Sequence, residues 1–275
     1  MPAKFKDLNK KSADLMKDHH EAGAFKFEKK GSVNGDNKYT LKASCADSGT
    51  PIAWDLKLDS GKFNVKIDHN NNISKEFKFS WSKLPGFSFT SKPSLASSSV
   101  LDNLGALDIN YANSKVNFNS TLNFSKLDSL NFDLTANPLA KCQALVFGLK
   151  GNLSASGLNN AQYGFGLHKG NLQAAFISDN LQKPFIGKFG LYADLPNNNN
   201  FCCYALEGHT SGKMALAFAD GCCVNTNRYK IDQDGKFSYA KVQKVNSAFK
   251  LGLSAQVDLT NLAGSGHKFG VGVHF

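Results

Sequence analysis

His267-Lys268-Phe269-Gly270-Val271-Gly272-Val273-His274-Phe275 closes the chain and alternates with a period of two. On an extended strand Phe269, Val271, Val273 and Phe275 fall on one side. Lys268, Gly270, Gly272 and His274 fall on the other. A strand that is greasy on one face and small or polar on the other is what a lipid-facing barrel wall requires. In an open sheet so apolar a terminal strand would be an aggregation edge. A closed barrel has no edge, so its last strand can be this apolar.

The same alternation runs back through most of the chain. Ile52, Trp54, Leu56 and Leu58 oppose Asp55, Lys57 and Asp59, and a turn at Asp59-Ser60-Gly61 follows. Phe63, Val65 and Ile67 then oppose Asn64, Lys66 and Asp68. After Asn70-Asn71-Asn72 come Phe77, Phe79 and Trp81 against Lys78, Ser80 and Ser82. Further on, Leu145-Phe147-Leu149, Tyr163-Phe165-Leu167 and Phe189-Leu191 repeat the pattern. Turns such as Lys169-Gly170-Asn171, Asp220-Gly221 and Asp234-Gly235 separate many of these segments. The pattern predicts about 19 strands of about eight to twelve residues, longer than the usual globular strand of about 5–6. Transmembrane strands need about 9–11. Ser91 to Asn103 is the weakest stretch, a long loop or a poor strand.

The first twenty residues differ. At 100° per residue Phe5, Leu8, Ser12, Leu15 and Met16 share one helical face, with Lys6, Lys10 and Lys17 opposite. Gly23 is the expected stop. The expected division is residues 1–22 as an amphipathic helical segment and 23–275 as a β-barrel.

Composition bounds the alternatives. The chain has 275 residues, 41% apolar content and a mean hydropathy of −0.31. It has no apolar run of 18, so no membrane-spanning helix is expected, which leaves barrel strands open. The N-terminus shows neither the apolar core of a secretory signal nor an Arg-rich transit pattern. Six cysteines, Cys45, Cys142, Cys202, Cys203, Cys222 and Cys223, lack Cys-x-x-Cys spacing and are expected to be reduced, strand-embedded thiols. His19-His20 alone cannot make a metal site. No cofactor is called for, and no nucleophile–base constellation marks an enzyme.

Net charge is +10, with Arg228 the one arginine. Lysine is a compact point charge, whereas arginine grips phosphate bidentately. A nearly arginine-free basic chain suits passing anions better than holding nucleic acid. A barrel of about 19 strands is too wide for its side chains to fill. Its polar faces would line water and its aromatic faces would meet lipid. Lys57, Lys66, Lys78, Lys188, Lys250 and Lys268 are then expected to point into the lumen and bias it toward anions.

Three features resemble the mitochondrial voltage-dependent anion channels, the porins of the outer membrane. Phe5 to Asp18, with its Lys10-Lys11 pair followed by Asp14-Leu15 and Lys17-Asp18, is similar to that family's pore helix. Gly266-His267-Lys268-Phe269-Gly270-Val271-Gly272-Val273 resembles its closing strand. Length and strand count are compatible with its single barrel. The resemblance implies a voltage-gated, weakly anion-selective pore for ATP, ADP, phosphate and small metabolites in the mitochondrial outer membrane. It implies that the helix of residues 5–18 lies in the lumen, with Lys10, Lys11 and Lys17 facing nucleotide phosphates or standing exposed on a surface-bound helix. Lys268, Gly270, Val273 and Phe275 match the order of a barrel-sorting signal, which implies the outer-membrane sorting and assembly machinery as a partner. Membrane lipids, and a homo-oligomer or larger membrane complex, are the other implied partners. An odd strand count would require the first and last strands to pair in parallel. Gly148-Leu149-Lys150 falls too late in the chain for the family's Gly-Leu-Lys motif. The outward set Phe63, Val65 and Ile67 lacks the acid some members carry. A protein-import pore and a structural barrel subunit remain alternatives.

Overall fold

The computed structural model describes residues 2–17, 20, 22–34, 37–46, 52–70, 72–80, 83–93, 104–124, 129–138, 145–197 and 200–275. Trp81, Cys142, His19 and residues 94–103 lie outside the described residues. A 3-10 turn at Phe5–Asp7 leads into helix α1 at Lys10–Lys17. Strands follow as β1 (Ala24–Val33), β2 (Asn37–Ala46), β3 (Ala53–Asp59), β4 (Phe63–Asp68), β5 (Ile73–Ser80) and β6 (Phe87–Lys92). Next come β7 (Ala106–Ala112), β8 (Val116–Asn123), β9 (Ser129–Ala136), β10 (Leu145–Ser154), β11 (Gly157–Lys169), β12 (Leu172–Asn180) and β13 (Lys183–Asn197). The last are β14 (Asn200–His209), β15 (Met214–Gly221), β16 (Asn225–Asp232), β17 (Lys236–Lys244), β18 (Lys250–Asp258) and β19 (Lys268–His274).

Every consecutive pair is antiparallel, and β1 pairs with β19 in parallel, so the 19 strands form one closed all-β barrel. The parallel seam is arithmetic. With an odd number of alternating strands the first and last run the same way. Phe25 faces Val271 and Phe27 faces Val273 across it. Glu28 ties the seam, with Lys30 Nζ at 3.2 Å, Lys42 Nζ at 3.5 Å and His274 Nδ1 at 3.3 Å from its carboxylate.

Strand lengths spread from 6 residues in β4 to 15 in β13, wider than the expected eight to twelve. The short strands end early because their turns capture side chains. Asp59 accepts the Gly61 N–H at 2.8 Å, and Asp68 accepts the N–H groups of Asn70 and Asn72 at 2.9 and 3.0 Å. Such local bonds compete with the ladder for the same backbone groups.

The helix defines the two faces of the wall. Directly paired residues share a face, so the register carries the assignment from strand to strand around the barrel. The inner face runs through Gly148, Gly164, Ala175, Gly190, Glu207, Ala215, Asp232 and onward to Ser254, Gly270 and Lys26. The outer face carries Phe165, Phe176, Phe189, Leu191, Leu206, Leu216 and, on the closing strand, Phe269, Val271, Val273 and Phe275. Phe269 is 73% exposed and Phe185 is 85% exposed, as befits a surface built for something other than water.

Candidate functional site

The site is the barrel interior and the segment lodged in it. Phe5, Leu8, Ser12, Leu15 and Met16, the face expected from helical periodicity, are all buried. The segment is not one continuous helix. It breaks at Leu8-Asn9, between the 3-10 turn and α1, which lets both Phe5 and Leu8 reach the wall. Phe5 and Leu8 pack with Val146 and Ala175, and Leu15 and Met16 pack on Cys203, Ala205, Ala217 and Ala219.

The wall is made of small residues where the segment lies. A Cβ on Gly148 would meet Phe5 Cδ2 at 2.6 Å, and one on Gly164 would meet Leu8 Cδ1 at 2.9 Å. On Gly190 it would overlap the Asn9 side-chain oxygen and lie 2.6 Å from Ser12 Oγ. Polar contacts complete the dock. Asn9 Nδ2 donates to Glu207 Oε1 at 2.8 Å, and the Ser12 hydroxyl lies 3.0 Å from the same oxygen. Gln173 Nε2 donates to the Leu8 carbonyl at 2.9 Å, and the Thr135 hydroxyl donates to the Ala3 carbonyl at 2.7 Å.

These wall residues escape a reading that looks for charge. The signal was present as small apolar residues on what should be a polar lumen face. Gly164-x-Gly166 and Ala215-x-Ala217-x-Ala219 mark where another element lies against the wall. Gly148, set aside as a nucleotide motif, is part of this floor under Phe5.

Lys57, Lys66, Lys78, Lys188, Lys250 and Lys268 all stand on the inner face by register. They are not brought together. Lys57 lies 3.8 Å from Asp59 and Lys66 lies 3.2 Å from Asp55, so part of their charge is met by acids of the same inner face. Lys78, Lys188, Lys250 and Lys268 make no ion pair among the described residues. On the helix, Lys10 lies 4.0 Å from Asp7, Lys11 Nζ stands 5.2 Å from the Tyr192 ring centroid, and Lys17 is exposed. The helix lies against β13, β14 and β15, and the 3-10 turn against β9 and β10. Across the lumen, Lys26, Glu28, Lys30, Lys42, Lys66 and His274 line an open concavity.

Of the sorting-signal candidates, Lys268 and Gly270 face inward, while Val273 and Phe275 face outward. Phe275 packs on Phe27 and Phe249, with ring centroids 5.6 and 4.9 Å away.

Cys222 and Cys223 lie in the turn between β15 and β16, not in a strand as expected. Backbone N–H groups of Val224 and Asn225 point at the Cys222 sulfur and hold that thiol below the usual cysteine range. A larger thiolate fraction at neutral pH means faster alkylation. With the other cysteines replaced by serine, Cys222 is expected to react with iodoacetamide several-fold faster than Cys223 at pH 7. The gap should close as pH rises past the ordinary thiol range. Equal rates at pH 7 would show that the turn does not stabilise the thiolate.

The sequence matches no protein-family model and no curated protein. Two solved structures similar to the barrel are mutants of a bacterial porin. One, of the Rh. blastica porin, is 10% identical with a TM-score of 0.31. The other, a triple mutant of the Rhodopseudomonas blastica porin, is 9% identical with a TM-score of 0.32. Each alignment covers 87% of this chain and 84% of the porin chain.

Proposed function

We propose that the chain is a diffusion pore: a membrane-spanning barrel that passes small anions between two aqueous compartments. One observation carries this reading. The wall of a closed 19-stranded barrel turns most of its aliphatic and aromatic residues outward and most of its lysines, amides and hydroxyls inward. Barrels of 16–18 strands are already wide enough to leave an aqueous channel. Lysines in the wall and on the helix raise the local concentration of anions by long-range attraction, without a covalent step.

The finer reading follows from the resemblance of residues 5–18 and 266–273. On it, the pore is voltage-gated and weakly anion-selective, sits in the mitochondrial outer membrane, and passes ATP, ADP, phosphate and small metabolites. Residues 1–22 act as the internal pore segment. Lys268, Gly270, Val273 and Phe275 are the address read by the assembly machinery. No covalent chemistry or cofactor is needed.

The test is planar-bilayer recording of purified protein under a salt gradient. The expected result is a large conductance whose reversal potential favours chloride over potassium. A cation-selective pore, or no conductance in inserted protein, overturns the reading.

A further inference from the structure

At the mouth where β14 turns into β15, a carboxylate, an imidazole and a hydroxyl stand in line. His209 Nε2 lies 2.7 Å from Asp179 Oδ2, and His209 Nδ1 lies 2.7 Å from Ser211 Oγ. The backbone fixes which ring nitrogen carries the proton. The Ser211 N–H, which can only donate, meets Nδ1 at 3.1 Å. Nδ1 is therefore the bare nitrogen, and Nε2–H donates to Asp179. The Ser211 hydroxyl then donates to Nδ1. In this order an aspartate orients a histidine, and the histidine is placed to take a proton from a serine. Sequence gives no notice of the cluster, because Asp179 stands 30 positions before His209.

The fold builds the arrangement. Asp179 is on β12 and His209 on β14, with β13 between them, a separation of about 10 Å at the usual strand spacing. At this level the pairing of β12 with β13 breaks. Ser178 pairs with Gly187 and Asn180 with Lys183, so residues 184–186 oppose Asp179 alone. The bulge holds Pro184 and the exposed Phe185, and it takes β13 out of the ladder where the imidazole reaches across. The Tyr163 hydroxyl donates to the Pro184 carbonyl and steadies the bulge. The turn is tied down as well. The Thr210 N–H donates to the Gly187 carbonyl at 3.0 Å, and the Gly187 N–H donates to the Thr210 hydroxyl at 3.0 Å. Ser211 is exposed and His209 half-buried, so a small molecule can reach the hydroxyl.

We propose that Ser211 is a nucleophile toward small, activated, negatively charged esters, with His209 as its general base and Asp179 as the positioning residue. Charge selects the substrate. The Ser211 and Gly212 N–H groups are spent, on His209 Nδ1 and on the His209 carbonyl at 2.9 Å, so cations must meet the developing oxyanion. Lys188 pairs in register with His209, and Lys213 closes the turn through its carbonyl, which accepts the His209 N–H at 2.7 Å. Two ammonium groups favour an ester that brings its own negative charge. In the first step Ser211 Oγ bonds to the acyl carbon and its proton moves to Nδ1. The bond from that carbon to the leaving oxygen breaks, and the alcohol departs with the proton from Nδ1. A water then gives a proton to Nδ1 and attacks the acyl-serine, and the proton returns to Ser211. Ester and water become acid and alcohol with no other reactant. Neither step depends on whether the barrel conducts ions.

The experiment uses full-length protein folded in detergent, with p-nitrophenyl acetate and its meta-carboxylated analogue as probes. Wild type is expected to release the nitrophenol faster than buffer does, and faster from the carboxylated ester. Ser211→Ala should fall to the buffer rate with an unchanged far-ultraviolet circular dichroism spectrum. His209→Gly should lose about 10²-fold, and added imidazole should restore part of the rate, which separates a lost base from a lost fold. Asp179→Asn should lower kcat with KM unchanged, and Asp179→Glu should recover part of it. Lys188→Gln should erase the preference for the carboxylated ester. Mass spectrometry should place the acyl group on Ser211 and not on Ser156, whose hydroxyl meets Ser154 instead of an imidazole.

A wild-type rate equal to buffer overturns the proposal. So does hydrolysis that survives Ser211→Ala, acyl groups found on lysines alone, or an Asp179→Asn variant with the wild-type kcat. Bilayer conductance reports on the pore reading separately, and neither result decides the other.

Discussion

Gly190→Ala should detach the internal helix from the barrel wall. The added methyl group lands where the Asn9 amide and the Ser12 hydroxyl sit, and neither can yield freely. Asn9 is held by Glu207 on the next strand, and the Ser12 hydroxyl bonds back to the Asn9 carbonyl at 3.2 Å and to Glu207. Overpacking of this kind costs about 1–3 kcal/mol. A loss of 1–2 kcal/mol changes a two-state population by roughly 5–30-fold. The docked fraction falls accordingly. The measurement is limited proteolysis within residues 4–17, paired with single-channel recording. Cleavage should rise several-fold and the open state should become noisy. Gly252→Ala is the matched control. It lies on the same inner face, where a Cβ meets only the Gly272 backbone at 3.6 and 4.0 Å. If both variants behave alike, the glycine floor does not hold the helix.

Replacing Lys78, Lys188, Lys250 and Lys268 together by glutamine should lower the anion preference substantially. These four inner-face lysines have no ion pair among the described residues, so their fields reach the lumen undivided. At 0.1 M salt the screening length is about 10 Å, comparable to the distance from wall to permeating ion. The anion-to-cation permeability ratio is expected to fall toward unity, read from the reversal potential. The effect should be largest at low ionic strength and fade toward 1 M salt. Neutralising Lys10, Lys11 and Lys17 should shift the ratio the same way to a smaller extent, because Lys10 has Asp7 beside it and Lys11 lies over a ring. A quadruple variant with an unchanged ratio would remove these four lysines from the selectivity mechanism.

The barrel was legible because period-two alternation survives almost every strand, and an odd strand count dictates the parallel seam before any contact is known. The buried helical face was legible for the same reason: Phe5, Leu8, Ser12, Leu15 and Met16 recur at helical spacing. What receives that face was not. Glu207, Gln173 and Thr135 are ordinary polar residues on inner strand faces, and nothing local distinguishes them from residues that meet water. Their roles come from partners up to 198 positions away. Ion pairing was also hidden. Lys57 meets Asp59 two residues along its own strand, whereas Lys66 meets Asp55 of the neighbouring strand, which only the cross-strand register brings beside it. The turn at Asp59-Ser60-Gly61 stands where the sequence placed it, but strand length was misjudged, from 6 residues in β4 to 15 in β13.

The seam between β1 and β19 has a consequence for how such a chain is made. Phe25 and Val271 become neighbours only after everything between them exists and is threaded in order. Loop-closure entropy is not the obstacle, since each doubling of loop length adds only about 0.6 kcal/mol. The obstacle is the state just before closure. That species is a ribbon of 18 completed pairings with two raw margins, each offering free N–H and C=O groups beside apolar side chains. Completion is therefore a single event, and the ribbon must be shielded at both margins until His274 of β19 reaches Glu28 of β1, which Lys30 and Lys42 already flank, and locks it.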